Sequence, residues 1–186
     1  MTFNTFDYWF NNTEVQGGAD YKSRYIFDNL VKTLEIPTQG FCMQIGVHTG
    51  YTYNLMKEYF GANRVKGIDI FNYNNDPTVI ECDVAQLDFK MPIAYAENDV
   101  GNVNIDPTPR LLAFKWAVAN LVPNGKVITT SNVANEKFGE RVEDICVEHG
   151  CTWQRLDAYN QTPWGKFINE KTKWNLISLM LVTKED

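Results

Sequence analysis

Three acids stand where a strand gives way to a loop: Asp69, Asp83 and Asp106. Each follows a short apolar run, GID, VIECD and NVNID. Upstream lies FCMQIGVHTGY, an apolar run from Phe41 to Val47 with glycines at Gly46 and Gly50. Acids at strand tips accept hydrogen bonds from sugar hydroxyls, and a glycine turn lets a ligand lie against backbone. Another strand-like run, KVITTS, ends on Ser131 and is followed by Asn132, so that polar groups, Asp106 and Ser131-Asn132, also follow the fourth and fifth apolar runs.

These residues need strands to hold them. Phe41–Val47, bounded by Pro37 and Gly40, predicts a buried strand. A helix follows from about Thr52 to Phe60, stopped by Gly61, and then a strand over Val65–Ile70 carrying Asp69. After the turn cluster Asn72–Pro77, a short strand over Thr78–Cys82 ends on Asp83, which either contacts a ligand or opens a turn. The fourth strand is placed at Asp99–Asp106. The alternative is Ile93–Ala96, with Glu97-Asn98-Asp99 at its tip. Thr108-Pro109 starts a helix running to about Leu121, with Leu111, Phe114, Val118 and Leu121 on one face. Pro123-Asn124-Gly125 is a turn before the strand Lys126–Ser131. Asn135 caps a helix ended by Gly150. Strands over Thr152–Asp157 and Trp174–Thr183 have no helix between them and should be antiparallel neighbours. Alternating strands and helices predict an α/β fold, a mostly parallel seven-stranded sheet with helices on both faces and an antiparallel C-terminal strand.

Residues 1–186 suit one domain. The aromatic start, with Phe3, Phe6, Tyr8, Trp9 and Phe10, predicts a brace or a substrate lid. A helix from Tyr21 to Leu34 follows it, burying Phe27, Leu30, Val31 and Leu34. The aromatic loop Tyr159–Lys173 is either a substrate cover or hairpin packing. A net charge of −6, with 17 scattered Lys and Arg, argues against nucleic acid as partner. No apolar run approaches membrane-spanning length, and no secretory signal is read at MTFNTFDYWFNN. A cytoplasmic protein with reduced thiols is expected. Cys146, His149 and Cys151 cluster in sequence but lack the four ligands of a structural zinc site.

Counting from Gly46, the second and third glycines of a dinucleotide fingerprint are His48 and Tyr51, so NAD and FAD are disfavoured, and no P-loop lysine follows. The stretch Gln44-Ile45-Gly46-Val47-His48-Thr49-Gly50 resembles motif I of the class I S-adenosylmethionine-dependent methyltransferases, acid-x-G-x-G-x-G. The form IGVHTGY is similar to the oxygen-methylating branch that includes caffeoyl-CoA O-methyltransferases. The chain departs from the motif at Gln44, an amide in place of the acid, and at His48, in place of the middle glycine. His48 is either a turn residue tolerant of unusual backbone angles or a group reaching the site.

The resemblance implies S-adenosylmethionine as cofactor, held by Gln44, Gly46, His48, Gly50, Asp69 and Asp83. Asp69 would take the ribose hydroxyls and Asp83 the adenine amino group. It implies methyl transfer to a small molecule, at oxygen, with Asp106 and Asn132 as catalytic residues. Asp106 also has a plainer reading as a helix cap. Cation-dependent members place an acid after the fourth strand and an Asp-Asn pair after the fifth. Here Ser131 replaces the middle acid, one carboxylate makes a poor hard-cation site, and no metal is predicted. Asp106-Pro107-Thr108-Pro109 lacks the paired prolines and aromatic of nitrogen-methylating DNA enzymes. A protein that binds the same ligand without transferring methyl is the competing expectation, and pairing with a second copy is left open.

Overall fold

The computed structural model describes residues 27, 30–48, 50–100, 108–132, 136–155 and 177–186. Seven strands form one sheet: β1 (Phe41–Ile45), β2 (Val65–Asp69), β3 (Val79–Glu81), β4 (Ile93–Asn98), β5 (Leu121–Asn132), β6 (Cys151–Arg155) and β7 (Ile177–Lys184). Among the described residues, helices α1 (Tyr51–Phe60), α2 (Thr108–Ala119) and α3 (Glu136–Glu148) pack on it. The strand order is β3-β2-β1-β4-β5-β7-β6. The pairs among β1 to β5 are parallel, and β7 runs antiparallel to both β5 and β6. The expected antiparallel pairing of the last two strands is present, with β7 inserted between β5 and β6. Only Cys151 of β6 is buried, while its other four residues face solvent, as suits an edge strand.

Side chains alternate across the sheet, so neighbouring residues on one strand belong to different cores. Cys42, Val65, Tyr95 and Ile128 join Tyr53 and Met56 of α1 and the upstream Phe27, Leu30 and Val31 on one face. Met43, Ile45, Ile68 and Ala96 meet Phe114 and Val118 of α2 and Val142 and Cys146 of α3 on the other. The stripe expected at Phe27, Leu30 and Val31 is therefore core, while most of the proposed helix Tyr21–Leu34, the aromatic start and the loop Tyr159–Lys173 lie outside the described residues.

The fourth strand corrects the placement at Asp99–Asp106. It is Ile93–Asn98, close to the alternative, and all six residues are buried. The strand lies between β1 and β5, with both faces covered. Such a strand carries a continuous apolar run, here Ile93-Ala94-Tyr95-Ala96, rather than the alternation of Val100, Val103 and Ile105. The turn expected at Pro123-Asn124-Gly125 is absorbed into β5. Asn124 takes φ +61°, and the register jumps from Ile93↔Leu121 to Tyr95↔Lys126. That pairing takes Leu121 into β5, so α2 ends at Ala119. Among the described residues no helix is long and apolar enough to cross a membrane.

Candidate functional site

Strand order reverses at β1 and β4. From β1 the chain crosses through α1 to β2 on one side, and from β4 through α2 to β5 on the other. Diverging connections leave a crevice at the carboxyl ends of these two strands, where ligands bind in open α/β sheets. Gly46–Gly50 leaves β1 at this edge. Asp69 ends β2, Asp83 follows β3, and Asn132 ends β5.

The glycine turn is held closely. Gly46 has φ +87° and donates to Ile68 O at 2.8 Å. A Cβ on it would stand 2.9 Å from the carbonyl carbon of Asp99, so the peptide following β4 lies directly against it. Gly50, also at φ +87°, precedes the first turn of α1, and a Cβ there would meet Asn74 Nδ2 at 2.9 Å. Gly46 is thus required first by the neighbouring backbone, whereas Gly50 is favoured by its positive φ, since the Asn74 amide can move aside. His48 has φ +50° and an exposed side chain, which fits the turn-residue alternative.

Asp69 joins the first two loops. Its Oδ2 accepts the His48 N–H at 2.7 Å, its Oδ1 accepts the Phe71 N–H at 3.3 Å, and the residue is 9 % exposed. A carboxylate has about four lone-pair sites, so further donors can still be received. Beyond it, Ile70, Phe71 and Tyr73 are exposed, with the Phe71 and Tyr73 rings 6.0 Å apart.

The tip of β4 carries residues that the first strand placement passed over. Asp99 N–H donates to Ile45 O at 2.8 Å, and its carboxylate accepts from Gln44 Nε2 at 3.0 Å. Gln44 is buried and donates as well to Gly46 O at 3.2 Å. Asn98, fully buried, donates to Arg110 O at 3.0 Å and to the Thr129 hydroxyl at 3.4 Å. Arg110 on α2 returns a hydrogen bond from Nε to Val100 O at 2.8 Å. Burial lowers the Arg110 pKa, and the Asp99 charge offsets part of that. Glu97, also buried, accepts from the Tyr95 hydroxyl at 3.4 Å. The signal for this cluster was the run IAYA followed by E-N-D.

The remaining candidates lie further out. Asp83 is exposed and accepts the Ala85 N–H at 2.9 Å, capping the 3-10 turn Val84–Gln86. Asn132 is the last residue of β5, opposite Ile177 of β7. Asp106 lies outside the described residues, eight positions in sequence after Asn98, the last residue of β4.

Between α1 and the loop after β2 lies a cleft of about 750 Å³, lined by His48, Gly50, Tyr53, Lys57, Phe71 and Asn74 among others. Its wall is fixed by the Lys57–Asp76 ion pair and by the Tyr53 and Thr78 hydroxyls at 2.6 Å. Lys57 and Thr78 hold the Asp76 carboxyl down at about 2. Among the described residues no group of three or more His, Cys, Asp or Glu could hold a metal. All four cysteines are free. Burial pushes the Cys42 thiol up to about 11 and that of Cys146 to about 12.

Strand order, the antiparallel β7 and the placement of the crevice together define the fold of the class I S-adenosylmethionine-dependent methyltransferases. Solved structures of that fold align over nearly the whole chain. The N-methyltransferase NodS from Bradyrhizobium japonicum WM9 is 14% identical with a TM-score of 0.56, covering 93% of this chain and 99% of its own. The StiE O-MT domain, residues 942-1257, is 12% identical with a TM-score of 0.59, covering 100% of this chain and 83% of its own. The [4+2]-cyclase SpnF is 11% identical with a TM-score of 0.54, covering 90% and 81%. No family model matches the sequence, and no curated protein matches it.

Proposed function

We propose that this protein transfers a methyl group from S-adenosylmethionine to a small-molecule acceptor, at oxygen. The observation that carries the proposal is Asp69, a carboxylate at the switch-point crevice whose two oxygens are oriented by backbone N–H groups of the loops beside it. Its remaining lone pairs accept the two ribose hydroxyls. Phe71 offers an apolar face to the adenine, and Asp83 takes the adenine amino group. Gly46, His48 and Gly50 shape the turn on which the amino-acid portion rests, and Gln44 supports that turn through Gly46 O. When bound, S-adenosylmethionine supplies an electrophilic methyl on a sulfonium. The chain then holds the acceptor in line and removes its proton, with Asp106 as base and Asn132 orienting the acceptor.

Isothermal calorimetry with S-adenosylmethionine, S-adenosylhomocysteine and NAD tests the cofactor. Both sulfur ligands should bind and NAD should not. Failure of both to bind would end the proposal. Release of S-adenosylhomocysteine over a panel of hydroxyl-bearing acceptors tests the transfer. Binding without release on any acceptor would leave a ligand-binding protein on the same fold.

A further inference from the structure

Position 44 is an amide where the resembled motif has an acid, and the structure supplies the physical reason. Gln44 Nε2 points at two acceptors, Gly46 O at 3.2 Å and the Asp99 carboxylate at 3.0 Å. Two acceptors on one side fix which amide atom is the nitrogen. A glutamate here would set two carboxylates against each other at that distance, and such a pair cannot stay fully ionised. It would also lose its donor to Gly46 O. With Asp99 in place, residue 44 must be a donor.

Asp99 is held as firmly as a strand residue, although it lies just beyond β4. Its N–H is bonded to Ile45 O, and its peptide packs on Gly46 too closely for any Cβ. It therefore stands beside the glycine turn, on the other side of β1 from Asp69. Gln44 Oε1 remains buried with no hydrogen-bond partner among the described residues. A buried acceptor without a donor is costly unless a ligand supplies one.

We infer that Gln44 and Asp99 are an exchanged pair: with an amide at the β1 position where the motif carries an acid, the carboxylate that faces the ammonium tail of the ligand is Asp99 at the tip of β4. The Gln44 amide positions that carboxylate, and its Oε1 accepts a second N–H from the same ammonium group. This inference rests on the cofactor proposed above.

The test is calorimetry with two probes, S-adenosylhomocysteine and 5′-methylthioadenosine, which shares the nucleoside but has no amino-acid tail. Asp99→Asn should weaken S-adenosylhomocysteine about tenfold or more and leave methylthioadenosine unchanged. Adding Gln44→Glu to that variant restores an acid facing an amide, and should bring S-adenosylhomocysteine back to within about threefold of the unmodified protein. Unchanged affinity in Asp99→Asn, equal loss of both probes, or a double variant no better than the single would each overturn the inference. Should Asp99→Asn not fold, the double variant decides alone. Retained preference for S-adenosylhomocysteine over methylthioadenosine supports the exchange, and its loss overturns it. If the unmodified protein binds neither probe, the cofactor proposal falls and takes this inference with it. If it binds both and the variants fail to discriminate, only the inference falls.

Discussion

The tips of β2 and β4 face the same crevice, and each carries an aspartate held by a different kind of partner. Asp69 is oriented by main chain, through the N–H groups of His48 and Phe71. Asp99 is held by side chains, with the Gln44 amide bonded to it and the Arg110 charge acting on it from α2. A carboxylate held by backbone needs only the right loop shape. One held by side chains needs specific residues on two other elements. The first kind is portable between sequences, whereas the second has to change together with its partners.

The largest expected effect separates these two acids. Asp69→Ala removes contacts to a ribose present in both nucleoside probes. It should weaken S-adenosylhomocysteine and methylthioadenosine alike, by about 100-fold in calorimetry. A selective loss of the tailed ligand alone would assign Asp69 to the role inferred for Asp99 and collapse the distinction.

A smaller effect probes the join between the two tips. Gly46→Ala places a Cβ against the Asp99–Val100 peptide at a positive φ. Chemical denaturation should show a loss of about 2–4 kcal/mol. A neutral result would mean that the β4 loop does not rest on the glycine turn.

The smallest lies on the cleft wall away from both tips. The Asp76 carboxyl sits at about 2, below its ordinary value of 3.8, chiefly through Lys57. A depressed carboxyl stabilises the fold above its unfolded value, and that contribution is lost as pH falls through the folded one. Acid titration of the unmodified protein should therefore show a stability loss between about pH 4 and pH 2. Lys57→Met should flatten that arm while costing less than about 1 kcal/mol at neutral pH. An unchanged acid arm would place the protonation elsewhere.

The contrast between the tips also explains what the sequence made legible. Asp69 follows a plain apolar strand after a helix with glycine at each end, so both its place and its neighbours can be read from local pattern. Asp99 cannot be read that way. The strand before it ends in Glu97 and Asn98, polar residues buried only because β1 and β5 flank them and α2 supplies Arg110. That environment is tertiary, and the apolar alternation of Val100, Val103 and Ile105 pulled the expected strand downstream. Seven strands and their directions follow from the alternation of elements. The placing of β7 inside rather than beside β6 depends on which strand can tolerate an exposed face, and Thr152–Arg155 is polar enough to be that strand only in hindsight.

The inserted strand has a consequence for how the molecule is made. β6 leaves the ribosome before β7, yet it has no neighbour in the sheet until β7 arrives. Until then β5 presents a row of unpaired backbone groups, those of Val127 and Ile128 among them, along its outer side. An open edge of this kind invites pairing with another chain. Closing it requires contacts distant in sequence, such as Lys126 with Thr183, which form slowly. The nascent protein thus passes through an interval in which the half of the sheet carrying the glycine turn can be complete while the other half is still adhesive.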